Sequence, residues 1–302
     1  MRESAVSISQ NAPWRDYLAL CKPKVVLLIV FTAVVGMFLA TPGMVPLDVL
    51  FLGSLGIGLG SASGAAFNHI IDQRIDAIMA RTRSRPLPRG RLDPVLATVF
   101  AAALSVASVL VLALGVNVLT ALLTLASMVG YSVVYTVYLK RATPQNIVIG
   151  GAAGAMPPVL GWTAVTDSVD PHALLLFLII FVWTPPHFWA LAIHRRADYA
   201  RANVPMLPVT HGVAFTRLHI LLYTLMLFAV SLLPFVSGMS GPLYLGGAVF
   251  LGLAFIGHAL RLYFEHGQLG LPMRTFTFSI WYLAALFALL LLDHYLPHVA
   301  TR

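Results

Sequence analysis

The sequence predicts an all-α, polytopic membrane protein of nine transmembrane helices. Three observations carry that prediction. Of the 302 residues, 59% are hydrophobic and 10% charged, with a mean hydropathy of +0.87, whereas an ordinary soluble domain is about 25% charged. The apolar residues fall into nine runs close to the length a bilayer demands. The basic residues segregate to one side of those runs.

The runs are Val25–Ala40, Leu47–Phe67, Val95–Leu114, Leu119–Leu139, Ile147–Ala164, Ala173–Ile193, Leu218–Val236, Leu243–Leu262 and Phe276–Leu296, the first of them short. Connections such as Thr41–Pro46 and Ser237–Pro242 are brief and rich in Gly and Pro, as turns between neighbouring helices should be. Of the 19 Lys and Arg residues, all but Arg302 fall on one side of a nine-helix arrangement. By the positive-inside rule that side is the cytoplasm, with the N-terminus inside and the C-terminus outside. The net charge of +8 therefore reports membrane orientation, and nucleic acid is excluded as a partner. Residues 1–22 read as a cytoplasmic N-terminal segment, its Met1–Ala12 part a polar tail, and 23–302 as a single transmembrane domain. Cys21 is the sole cysteine, which rules out an intrachain disulfide and a cysteine-based zinc or iron–sulfur site.

Chemistry concentrates where the second run ends. Asn68, Asp72 and Asp76 are spaced four apart, so on a helix they share one face, drifting about 40° per step over roughly 12 Å. Carboxylates at the edge of a membrane segment are costly and are usually kept for ions, protons or substrates. An oxygen-only donor set suits a hard cation such as Mg²⁺. Arg81, Arg83 and Arg85 follow at once, and arginines suit the phosphates such an ion accompanies, although any one could simply anchor a cytoplasmic loop. The spacing points to a diphosphate site at the lip of a membrane cavity.

Four helices later the pattern returns. The sixth run ends in Arg195, Arg196, Asp198 and Tyr199, and P-M-L-P at Pro205–Pro208 loosely echoes R-P-L-P at Arg85–Pro88. This hints at two related four-helix halves, runs two to five and six to nine. Pro185 and Pro186 are expected to break or kink the sixth helix beside His187, freeing backbone carbonyls into a cavity. That imidazole could serve a substrate or merely bond a carbonyl. Trp183, Phe188 and Trp189 read as packing aromatics. Tyr131 and Tyr135, four apart, could present ring faces to a carbocation or pack the core. Lys140 and Arg141 read first as membrane anchors, with Lys140 retained as a substrate-binding candidate.

The N-x-x-x-D-x-x-x-D of residues 68–76, followed by R-x-R-x-R-P, resembles the first aspartate-rich motif of the UbiA superfamily of intramembrane prenyltransferases. K-P-K at Lys22–Lys24, Y-T-x-x-L-K-R at Tyr135–Arg141, P-P-H-F-W-A-L-A-I at Pro185–Ile193 and Asp198-Tyr199 with P-M-L-P extend the likeness over nearly the whole chain. The last two blocks point to the haem branch. The resemblance implies nine helices around a central lipid-open cavity, in the cell inner membrane. It implies that Asn68, Asp72, Asp76 and Asp198 hold Mg²⁺ on farnesyl diphosphate and are catalytic together with His187. Arg81, Arg83, Arg85, Tyr135, Lys140, Arg195, Arg196 and Tyr199 would bind substrate. The implied acceptor is a vinyl group of haem B, a substrate rather than a cofactor, giving haem O. A haem A synthase or oxidase-assembly partner is compatible with that role. One departure stands out: the second motif of the superfamily often reads D-x-x-x-D, but here Ala197 precedes Asp198 and Ala202 follows four residues on. A second Mg²⁺ would then need Tyr199, Arg195, Arg196 or water. Two other functions compete. A quinone precursor or other aromatic acceptor would use the same acid and arginine machinery. A transporter would use Asp72, Asp76 and Asp198 for a coupling ion, but such sites lie near the midplane, whereas these acids cluster at one face.

Overall fold

The computed structural model describes residues 14–264 and 270–296, and within them the chain is helical with no strand. The Met1–Ala12 tail and Arg302 lie outside the described residues. Two helices at the start, α1 (Trp14–Leu20) and α2 (Pro23–Leu39), are bent by 51° at Cys21 and Lys22. Then come α3 (Leu47–Ile71), the short α4 (Gln73–Ile78) and α5 (Pro94–Gly115). Next are α6 (Val118–Ala142), α7 (Asn146–Thr166) and α8 (Pro171–His194). Two short helices, α9 (Arg196–Arg201) and α10 (Leu207–Thr210), precede α11 (Gly212–Val236), α12 (Pro242–Phe264) and α13 (Leu271–Tyr295). Among the described residues eight helices are long and apolar enough to cross a membrane, and the bent α1–α2 pair makes up to nine.

Local chemistry sets the ends. Asp93 caps α5 by accepting from the amides of Val95 and Leu96 at 2.7 and 3.1 Å, and Pro94 fills the first helical position. Asp170 and Pro171 repeat the device at α8. Asn117 caps α6 through the Thr120 amide and also donates to the carbonyl of Thr163 at 2.8 Å, tying α6 to α7. The prolines at 185 and 186, expected to break or kink α8, do not break it: the helix continues to His194. Each proline withholds one helical amide, but α8 is packed against α7, α11 and α13. That packing outweighs the two missing hydrogen bonds. Conversely, Gly130–Leu139 within α6 winds as a π-helix, which no residue pattern foretells.

Successive spans pack on one another, and α13 returns to α2, so the helices close a circuit. Small residues permit the tightest crossings, as membrane helices require. Ser63 and Ser108 of α3 and α5 each donate across that pair, to the carbonyls of Ala101 and Gly56, at 2.8 and 2.7 Å. Large aromatics, including Trp183, Tyr244, Phe255, Tyr282 and Phe287, fill the space between α8, α12 and α13. Outward faces stay apolar: Leu27, Leu114, Phe250 and Trp281 are each at least 70% exposed. Apolar surface on this scale is suited to lipid rather than water. The molecule is a multi-pass membrane protein.

At the α2–α7 crossing the backbones meet with no side chain between them. A Cβ on Gly161 would collide with the carbonyl of Ala33, and one on Gly36 with that of Pro158. Backbone cannot rotate away as a side chain can. Gly161→Ala is therefore expected to destabilise the protein by about 1–3 kcal/mol, seen as a lower unfolding midpoint in detergent. Ala substituted at Gly154, where a Cβ meets nothing within 4 Å, should leave the midpoint unchanged. Equal midpoints for both variants would disprove the tight crossing.

Candidate active site

Asn68 opens the last turn of α3, Asp72 is its C-cap, and Asp76 lies in α4. The backbone bonds of the Asp72 amide to the Asn68 carbonyl (3.0 Å) and of the Asp76 amide to the Asp72 carbonyl (2.8 Å) carry the four-residue repeat across the break. All three side chains are buried, Asp72 at 2% exposure. Charge this deep must be paired. Lys140, at the end of α6, places its Nζ 2.5 Å from Asp72 Oδ2. Asn68 Nδ2 donates to the same oxygen at 2.8 Å, and to Thr136 Oγ1 at 3.3 Å. Lys22 Nζ donates to Asn68 Oδ1 at 2.7 Å. Arg85 pairs with Asp76 at 2.5 Å, while Thr82 donates to the Asp76 carbonyl at 3.0 Å and braces the loop.

Lys22 reaches Asn68 from an unusual backbone position. It has φ 49° and ψ 60°, left-handed for a side chain that rarely adopts it. Pro23 forbids the ordinary helical alternative, so the corner between α1 and α2 turns Lys22 onto the end of α3. Backbone strain of this kind persists only where surrounding structure holds it, often at functional sites.

The second motif joins the first. Tyr199 and Met206 pack in one apolar cluster with Ile75 and Met79 of the first loop, and with Trp189 of α8. Asp198, buried, pairs with the exposed Arg201. Burial raises the pKa of the Tyr199 phenol; Arg81, then Arg85, pull it down, Asp198 pushes it up, and Arg195 pulls it down. Arginines of the first loop thus act on a tyrosine more than a hundred residues later. Arg81, Arg83 and Arg196 are exposed. Tyr135 lies in electrostatic range of Tyr199 and Asp72, and its ring stacks on that of Tyr131 with centroids 5.7 Å apart.

His187 is placed elsewhere. Its Nδ1 bonds Ser279 Oγ of α13 at 2.6 Å, and its ring lies between Trp183 and Phe276, with centroids at 4.2 and 4.5 Å. The structure brings it to an aromatic stack rather than to the carboxylates. The carboxylates Asp72, Asp76 and Asp198 do not form a three-ligand metal cluster among the described residues; each faces a base instead. Asp72 Oδ1 is nevertheless buried with no hydrogen-bond partner. Asp72 Oδ1, Asn68 Oδ1 and the Asp76 carboxylate are oxygen donors of the kind a hard cation takes.

Four participants carry no site signal that the sequence pattern alone makes plain: Lys22, Thr136, Thr82 and Ser279. Lys140 reads from sequence as an anchor before a ligand, and its 12% exposed side chain corrects that. K-P-K is the one available signal for Lys22.

This arrangement of buried acids and bases at one end of a helical circuit is that of an intramembrane prenyltransferase. The chain belongs to the UbiA prenyltransferase family, which matches residues 29–281. It is similar to the protoheme IX farnesyltransferase of Nitrosococcus oceani, 62% identical over 284 residues that cover 94% of this chain and 95% of that one. The protoheme IX farnesyltransferase of Hahella chejuensis is 59% identical, with 98% of each chain covered. Among solved structures, a digeranylgeranylglyceryl phosphate synthase superposes with a TM-score of 0.77 at 18% identity, over 93% of this chain and 98% of that one. A UbiA homolog from Archaeoglobus fulgidus bound to DMAPP and Mg²⁺ gives 0.64 at 17% identity, over 91% and 99%. These structural likenesses establish the fold.

The Lys140–Asp72 pair can be tested without turnover. Lys140→Met leaves a buried carboxylate without its cation and should destabilise the protein by about 3–5 kcal/mol. Adding Asp72→Asn to that variant removes the orphaned charge and should restore most of the loss. A double variant as unstable as the single one would show that the pair is not coupled.

Proposed function

We propose that this protein transfers a farnesyl group from farnesyl diphosphate to a vinyl group of haem B, giving haem O and diphosphate. The observation that carries the reading is the buried Asn68–Asp72–Lys140 network beside Asp76–Arg85, with one Asp72 oxygen free to accept a cation. Relatives of about 60% identity named for this activity support the choice of acceptor.

The residues divide by task. Asn68, Asp72 and Asp76 would hold Mg²⁺, with Asp198 contributing from α9. Bound there, Mg²⁺ would neutralise charge on the diphosphate and make it a better leaving group. Lys22, Lys140, Arg81, Arg85 and Arg195 bind phosphate oxygens, and Arg83 and Arg196 extend that basic rim. The allylic C–O bond breaks, diphosphate keeps its electron pair, and the bases stabilise charge that grows as the bond lengthens. The farnesyl cation must be shielded from water until it reacts. Tyr131 and Tyr135 offer ring faces to it, and Tyr199 keeps its phenol protonated beside them. The terminal vinyl carbon of haem bonds the farnesyl C1, then water adds to the neighbouring carbon and loses a proton. His187, braced by Ser279, is assigned to positioning the acceptor.

Mass spectrometry of purified protein with haem B, farnesyl diphosphate and Mg²⁺ should detect haem O, and chelation should abolish it. Asp72→Asn and Asp76→Asn should each lower turnover at least about a hundredfold while staying folded. His187→Ala should impair haem conversion while leaving diphosphate binding intact. Near-normal rates in both aspartate variants would remove their metal role, and prenylation of 4-hydroxybenzoate in place of haem would assign the chain a quinone-precursor acceptor.

The same reading sets the protein in the cell inner membrane with its N-terminus and motif loops facing the cytoplasm. The segregation of basic residues supports that orientation. In a Cys21→Ser background, cysteines introduced at the exposed Ser84 and Ser168 should be labelled from opposite faces. Labelling of both from one face would overturn the nine-helix topology.

A further inference from the structure

His69 stands beside Asn68 and three residues before Asp72, in the last turn of α3. It is 4% exposed, and neither Nδ1 nor Nε2 has a hydrogen-bond partner. Native proteins leave few buried polar groups unpaired, and each such case asks for a reason. A core histidine normally bonds at least one carbonyl or hydroxyl, as His187 does with Ser279. His69 does neither.

Its surroundings say what is missing. The charged groups that act on it are Lys22, Arg85 and Arg81, all of them cations of the site. A neutral imidazole always carries one N–H donor, and these three cations carry donors and no acceptor. An anion rich in acceptor oxygens would satisfy His69 and these cations together. Two more unpaired atoms occur in the same site, Asp72 Oδ1 and Arg195 Nε. The carboxylate oxygen calls for a cation and the guanidinium for an anion. A metal–diphosphate pair supplies both.

We infer that His69 donates a ring N–H to an oxygen of the diphosphate and belongs to the leaving-group cradle. The inference rests on the farnesyl diphosphate reading above. His69 is no metal ligand in it, since the site's cations act on it and Mg²⁺ prefers oxygen donors. The bond strengthens as the C–O bond breaks and negative charge gathers on the diphosphate. No proton need be transferred.

Calorimetric titration of the full chain with inorganic pyrophosphate and Mg²⁺ tests this without turnover. His69→Phe keeps the ring's bulk but loses its donor, and should weaken pyrophosphate binding about tenfold or more, the range for a hydrogen bond to a charged group. Haem B binding, followed by absorption, should be unchanged. The unfolding midpoint should not fall, because two unpaired buried nitrogens have been removed. His69→Gln, which restores an N–H, should recover part of the affinity. If the phenylalanine variant fails to fold, His69→Met makes the same deletion with a flexible side chain. Wild-type pyrophosphate affinity in the donor-less variant would overturn the inference, as would weakened haem binding with pyrophosphate unaffected. Failure of the wild-type protein itself to bind pyrophosphate with Mg²⁺ would instead overturn the proposed function.

Discussion

A carboxylate at 2% exposure near the end of a membrane span, such as Asp72, is tolerable only where a cation and hydrogen bonds replace water. Lys140 and Asn68 supply them, and Lys22 in turn holds Asn68. Those partners come from three places in the chain: the α1–α2 corner, the last turn of α3 and the end of α6. Much of the architecture at this end of the molecule serves to bring them together. The left-handed Lys22 corner turns one lysine inward, while the π-helical stretch Gly130–Leu139 presents Thr136 and precedes Lys140. A π-helical stretch changes the angular register of the residues beyond it, as π-bulges commonly do at functional sites.

The second half of the site depends on the first through packing rather than direct ion pairing. Ile75 and Met79 share an apolar cluster with Tyr199, Val204, Met206 and Leu207. Asp198, meanwhile, pairs within its own short helix. Apolar contact fixes where α9 sits, and the long-range fields of Arg81 and Arg85 then reach Tyr199. Such an arrangement lets the two loops meet without a rigid salt bridge between them. Charges at the interface stay available to a ligand.

Much of this is legible in the residues. Helix positions follow from hydropathy because lipid imposes a length and an apolar surface on every span. Asn68, Asp72 and Asp76 can be placed on one face because the backbone bonds continue across the α3–α4 break. Lys22 and Lys140 are harder. Positive-inside pressure puts lysines at helix ends whether or not they have another task, and their contacts span 46 and 68 residues. Only the tertiary fold separates an anchor from a partner. The double proline leaves break and kink open for a related reason: a lost hydrogen bond is a local quantity, while the continuity of α8 is decided by neighbours on several sides. His69 draws no notice in the sequence because a lone histidine in an apolar run ordinarily finds a partner, and the lack of one is visible only in three dimensions.

The balance of charge gives the site its direction. Around Asp72, Asp76 and Asp198 bases outnumber acids: Lys140, Arg85 and Arg201 pair with them, Lys22 acts with the first two, and Arg81 and Arg195 act on Tyr199 next to Asp198. In a site built only for stability, such a surplus would be a liability, since like charges in a poorly solvated space repel. It becomes an asset when an anion enters, because basic donors are already gathered where negative charge would develop. The unpaired Asp72 oxygen works the other way, offering an anionic position where a cation can enter with the anion. Acids and bases that hold one another in this state would thus exchange partners when a metal–diphosphate pair binds. In the proposed function, ground-state pairing would keep the fold intact without a ligand, and the surplus of bases would favour a ligand that carries its own cation.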